Sequence, residues 1–152
     1  MANVVVLDNL LSEFLSEKGK DIITSFNTTI TADNYSFEPY FTALNTIANG
    51  VVTGIRLIIC EADGTVIYDS SKVNLNTFQN FKDKKINENH NSRLAIIRAL
   101  LSASGRGYEV KRSTTTSNST EYYVASRLGF SSENAVGTVR ISHTGLVATI
   151  AT

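Results

Sequence analysis

Cysteine, histidine and net charge are the scarce quantities in this chain of 152 residues. Cys60 is the only cysteine, which excludes an intrachain disulfide and any zinc cluster built on paired thiolates. It closes the apolar run from Ile55 to Cys60 and so reads as a small core residue rather than a nucleophile. His90 and His143 are the only histidines. No HExxH pair, G-x-S-x-G elbow or P-loop occurs, and Gly105-Arg106-Gly107 lacks the later glycine of a dinucleotide fingerprint. Enzymatic activity has no motif behind it, and no cofactor is called for. Lys plus Arg and Asp plus Glu each total 14, so there is no global field for nucleic acid or an anionic membrane. The chain does not open on a basic segment followed by an apolar one, and no run of roughly 18 apolar residues occurs. The sequence therefore predicts neither a cleaved leader nor a membrane span.

What is present describes a folded protein. Hydrophobic residues make up 42% and charged residues 18%, which excludes disorder. The length fits one domain, residues 1–152, burying roughly two thirds of its unfolded surface. Charge is unevenly placed: residues 1–83 hold 10 acids and 5 bases, whereas residues 84–152 hold 4 acids and 9 bases. Two complementary faces account for this, or a second half that lines a site for an anion.

Residues 1–50 read as N-terminal helices. Leu7, Leu10, Leu11, Phe14, Leu15, Ile22 and Phe26 recur at helical spacing behind Asp8, a good N-cap type, and predict a helix over 8–28. A second helix starts at Ser36, with Pro39 in its first turn, and ends at Gly50. From residue 51 the period becomes that of strands. Ile55 to Glu61 and Val66 to Tyr68 flank Ala62-Asp63-Gly64-Thr65, a strong hairpin signal. Residues 71–89 read as a long polar connection with a short helical turn. A third helix over 92–103 carries Leu94, Ile97 and Leu101 on one stripe, with Ile96 and Leu100 beside it, and is expected to be largely buried. Strands over 108–115, 121–128 and 136–142 complete a meander, and 144–152 is a tail. Sequential hairpins with segregated helices imply an α+β fold around a five-stranded antiparallel sheet, one helix falling between strands 2 and 3.

Ile58-Ile59-Cys60-Glu61-Ala62-Asp63-Gly64-Thr65-Val66-Ile67-Tyr68-Asp69-Ser70 resembles the hairpin of the extracytoplasmic, Cache-type PAS-like sensor domains of bacterial sensor histidine kinases. Asn89-His90 followed by Arg93, Ile97 and Ala99-Leu100 is similar to that family's helix. Gly107, Arg112 to Thr115, Tyr122 to Ala125 and Gly137 to Ile141 resemble its meander. Arg127 stands where a proline is common in the family. The resemblance implies a PAS-like sheet core over 51–143, an extracytoplasmic setting, ligand binding on the concave side of the sheet, and homo-oligomerisation through the N-terminal helix.

His90 and Arg93, three apart near a helix start, suit a carboxylate or phosphate. Alternatively, His90 and Asn89 satisfy orphan backbone groups at the helix entry while Arg93 pairs with Asp69. Arg112, Tyr122 and Arg140 either line the concave side of the sheet as ligand-binding residues or lay their stems over apolar neighbours. Asp63 is assigned to its turn and Asp69 to a hydrogen bond at the strand end. Two functions follow: a non-enzymatic sensory or ligand-binding module for a small anionic metabolite, or a structural subunit that keeps the fold without a ligand. The second draws on the apolar ends, Val4-Val5-Val6-Leu7 and Leu146 to Ile150, which suit pairing with neighbours.

Overall fold

A computed structural model describes residues 2–27, 37–48, 52, 54–71, 88–112, 120–129 and 134–144. Its first element, α1 (Ala2–Asn27), starts a turn and a half earlier than the Asp8 signal suggests. Val4 and Leu7 extend the apolar stripe through Leu10, Leu11, Phe14 and Ile22, all buried against the sheet. Tertiary burial thus outweighs both the cap signal and the modest helix propensity of three consecutive valines. Asp8 is used differently: its Oδ1 accepts from Arg106 Nη1 at 2.7 Å and from the Tyr108 hydroxyl at 3.2 Å, tying α1 to a strand. Of the large hydrophobics on α1 only Val5 is exposed, so the stripe expected to serve two copies covers this chain's own sheet.

The second helix, α2 (Glu38–Ile47), has Pro39 in its first turn and buries Leu44. Its expected limits, Ser36 and Gly50, lie outside the described residues. Phe37, just ahead of it, is buried and stacks at ring distances of 6.0 to 6.3 Å on Phe26, Tyr40 and Tyr68.

Strands β1 (Arg56–Glu61) and β2 (Val66–Asp69) double back as the Asp-Gly signal predicts. Asp63 Oδ1 accepts from Thr65 N at 2.9 Å, and Gly64 adopts φ +92°, open mainly to glycine. Glycine is needed here for a second reason: a Cβ would lie 2.5 Å from Asn91 N. That close approach lets residues 88–91 run along the hairpin end, with His90 N donating to Gly64 O at 2.8 Å and Val66 N to Glu88 O at 3.1 Å. The intervening connection and its short helical turn fall outside the described residues.

Helix α3 (Leu94–Leu101) follows, then β3 (Arg106–Arg112), β4 (Thr120–Leu128) and β5 (Gly137–Thr144). The sheet order is β2-β1-β5-β4-β3 and every pairing is antiparallel. The last strand lies between the first and the fourth. With α3 on the connection between β2 and β3, this is the expected α+β arrangement around a five-stranded antiparallel sheet. One face of the sheet packs a large core against α1 and α2, around Phe14, Leu44, Leu57, Val124 and Ile141. The other packs a smaller core against α3, made of Ile58, Cys60, Val66, Ala95, Ile96, Ala99, Tyr123 and Ala125. Burial pushes the Cys60 thiol up to about 12, in keeping with its assignment as a core residue.

The burial of α3 differs from expectation. Ala95, Ile96 and Ala99 face the sheet, while Leu94 is 46% exposed and Leu101 75% exposed. The cause is close helix-to-strand approach. A Cβ at Gly107 would lie 2.5 Å from Ala99 N and clash with the Ala95 carbonyl, so Ala95 and Ala99 make the contact over β3 while Leu94 and Leu101 turn outward. Arg127 closes the other end of α3. Its Nη1 donates to the carbonyls of Leu100 at 3.0 Å and Ser102 at 2.9 Å, a cation on the negative end of the helix.

Candidate functional site

Antiparallel pairing decides which side chains meet above the sheet. Arg56↔Ser142, Ala125↔Arg140 and Glu109↔Tyr123 are register partners, so Arg56, Arg140, Tyr123 and Glu109 project from the face that carries α3. Residues 88–93, pinned to the hairpin end, bring Glu88, His90 and Arg93 over the same face. Together with Lys111 these side chains line a cavity of about 110 Å³. A cavity of roughly 150 Å³ accommodates a benzene, so this one fits an anion of about four or five non-hydrogen atoms. Its floor is His90, Tyr123 and Arg140, all buried; Arg93 and Lys111 stand exposed at the mouth.

The lining holds four cationic side chains, Arg56, Arg93, Lys111 and Arg140, against two carboxylates, Glu88 and Glu109. Arg93 and Lys111 are solvated at the mouth, and Arg56 and Glu109 have protein partners. Arg56 donates to Asp69 from Nε at 3.0 Å and from Nη2 at 2.6 Å, and these bonds raise its pKa. Glu109 Oε1 accepts from Ala95 N at 3.3 Å, at the open end of α3.

Arg140 is the exception. It is 3% exposed, and burial pulls its pKa down. No carboxylate among the described residues pairs with it. Its Nη2 meets His90 Nδ1 at 2.9 Å, its Cζ lies 5.0 Å from the Tyr123 ring centre, and its Nε is buried with no hydrogen-bond partner. A buried guanidinium normally has a carboxylate or several oxygens around it. Here it has an imidazole, an aromatic face and a cavity.

A guanidinium can only donate, so His90 Nδ1 must be the acceptor and the ring proton sits on Nε2. Nε2 faces Glu88 Oε1 at 3.7 Å, too long for a hydrogen bond. Burial first, then the adjacent charges of Arg140 and Arg93, lower the His90 pKa to about 4. The imidazole is therefore neutral at pH 7.

Of the five residues singled out in the sequence, the fold brings His90, Arg93 and Arg140 to one cavity. Tyr122 does not reach it. It lies on the opposite face, packed against the larger core, and the period of two gives the cavity to Tyr123 instead. Arg112 pairs with Thr120 at the end of β3, and its side chain lies outside the described residues; from β3 the cavity uses Glu109 and Lys111. Asp69 is bound by Arg56, not by Arg93. The register sets Ile58, not Arg56, opposite Asp69, so the Arg56–Asp69 bond is a diagonal one that the hairpin signal does not mark, and nothing in the sequence marks which parity of β3 and β4 faces α3. Among the described residues no group of three or more His, Cys, Asp or Glu side chains is placed to hold a metal ion, and no helix is long and apolar enough to cross a membrane.

No protein-family model matches the chain, and no curated protein matches it. Among solved structures, a sensory box sensor histidine kinase from Vibrio cholerae is similar at 9% identity and a TM-score of 0.38, over 70% of this chain and 90% of that one. A likeness of that size assigns neither ligand nor activity.

Proposed function

We propose that the chain is a PAS-like sensory module of the Cache type that binds a small anion on the α3 side of its sheet and does not transform it. Arg140 carries this reading: a buried cation without an acid partner among the described residues, with a donor group still unmatched, beside a cavity with an excess of positive charge. A carboxylate or phosphate oxygen supplies the missing acceptor, and charge-assisted bonds of that kind are the strong ones. Arg93 and Lys111 at the mouth favour entry of the same sign of charge. The absence of any catalytic motif in the sequence supports binding without turnover.

Thermal-shift and calorimetric screens of small carboxylates, phosphates and amino acids test the proposal. A ligand at about 100 times its Kd stabilises the fold by about 2.7 kcal/mol, an increase in Tm of about 5–11 °C for a chain of this size. Arg140→Met keeps the stem and removes the charge, and it abolishes that shift. A screen in which nothing stabilises the wild type, or in which Arg140→Met responds equally, refutes the reading.

A second reading, a subunit that uses the fold for assembly, is favoured by the outward Leu94 and Leu101 on α3. Light scattering that shows a monomer at all concentrations removes it.

A further inference from the structure

The floor of the cavity contains a group whose role changes once an anion arrives. His90 Nδ1 is held as an acceptor only by the Arg140 Nη2 contact at 2.9 Å. An anion that takes Arg140 competes for that donor and leaves the Nδ1 lone pair facing a negative charge. A neutral imidazole turned that way repels the ligand. A protonated one donates to it, while Nε2–H stays directed at Glu88. We propose that the cavity takes up a small carboxylate together with a proton, and that His90 is the residue that carries the proton. This rests on the reading of the cavity as an anion site and goes further, because it makes the ligand, in effect, the intact weak acid.

The surroundings of His90 have the signs this requires. Arg140 from β5 and Arg93 from the entry to α3 face it as cations, and Glu88 as the one close carboxylate among the described residues. Arg56 from β1, neutralised by Asp69 of β2, Tyr123 from β4, and Glu109 with Lys111 from β3 complete the lining. In the empty site the two arginines oppose a charge on the ring. A bound carboxylate cancels the nearest of these charges, and Glu88 then favours the imidazolium. The bound anion and its proton enter together with no change in the net charge of the floor. Burial of the floor magnifies this condition, since an uncompensated charge there costs far more than at the surface.

If the liganded ring titrates near the ordinary histidine value, acidification from pH 7 to pH 5 tightens binding on the order of 20-fold. Methanesulfonate and acetate serve as probes, because the sulfonate stays ionised throughout and separates titration of the protein from that of the ligand. The ring carbon resonances of the two histidines are followed by NMR with and without each probe, His143→Gln providing the assignment. The proposal expects the His90 midpoint to rise by at least two pH units on binding. It also expects calorimetry in buffers of different ionisation enthalpy to show close to one proton taken up at pH 5.5, and His90→Asn to bind with no pH dependence beyond that of the probe. Saturable binding with an unmoved His90 midpoint and no proton uptake overturns this inference and leaves the anion site standing. Absence of binding by either probe, and by the wider panel, overturns both.

Discussion

Replacing Asp69 by Asn tests the wall of the cavity more sharply than any change in its floor. The Asp69 carboxylate is fully buried and accepts four hydrogen bonds: Arg56 Nε at 3.0 Å, Arg56 Nη2 at 2.6 Å, Ser71 N at 3.0 Å and Ser71 Oγ at 2.7 Å. Burial alone pushes the carboxyl up, but the bonds from Arg56 and Ser71 outweigh it and hold the pKa below the ordinary 3.8. Asparagine keeps the shape, removes the charge and turns an amide donor toward a group that can only donate. Breaking a buried pair costs about 3–5 kcal/mol. The Arg56 side chain is 33% exposed and regains some solvent, which reduces the expected loss to about 2–3 kcal/mol. That corresponds to a fall in Tm of about 4–12 °C, read by calorimetry and by urea unfolding with an unchanged m value. The sign with pH is fixed by the direction of the shift. Stability from a depressed carboxyl is present above its unfolded pKa and is lost as pH falls through the native value, so the gap between wild type and variant narrows in acid. The same substitution frees a guanidinium at the cavity edge, so anion affinity rises severalfold while stability falls. A variant within about 0.5 kcal/mol of wild type at pH 7, or a gap that persists in strong acid, refutes the reasoning.

Two further outcomes follow from the same geometry. The lowered His90 pKa means that the unfolded chain binds more protons than the native one between about pH 6.5 and pH 4, so ligand-free stability declines across that window as pH falls. After allowance for solvent reaching the ring through the cavity, the loss is about 1–2 kcal/mol; urea midpoints of wild type minus His90→Asn measure it, and parallel pH profiles for the two proteins contradict it. Gly107→Ala places a methyl group against the backbone of Ala95 and Ala99, lifting α3 and costing about 3 kcal/mol. Equilibrium unfolding decides this, and a neutral effect shows that the helix does not sit as close to β3 as described.

The local elements were legible because their signals are local. Asp63-Gly64 specifies a turn through a side-chain bond and a left-handed residue within four positions, and the folded chain has both. The stripe of α1 from Leu7 to Ile22 is periodic enough to survive Gly19. The alternation of β3 to β5 specified strands, and consecutive hairpins specified antiparallel pairing. His90 and Arg93 were picked out by their spacing at a helix entry, and Arg140 by its place on a strand.

What the chain alone left open depends on distances between elements. Whether Tyr122 or Tyr123 faces α3 is a question of parity, and both carry the same side chain, so only pairing with β5 answers it. The stripe Leu94, Ile97 and Leu101 has proper helical spacing. Its ends, Leu94 and Leu101, nevertheless point outward, because Gly107 admits α3 so closely that Ala95 and Ala99 make the contact over β3. Arg140 illustrates the division: its charge was visible in the sequence, but its isolation was not. The sequence determined which groups exist and which local shapes they prefer. Only tertiary packing, in which β5 enters the middle of the sheet and carries a guanidinium beneath residues 88–93, decided that this cation is buried with no acid beside it among the described residues. Burial sums over all neighbours, and no window of adjacent residues contains that sum.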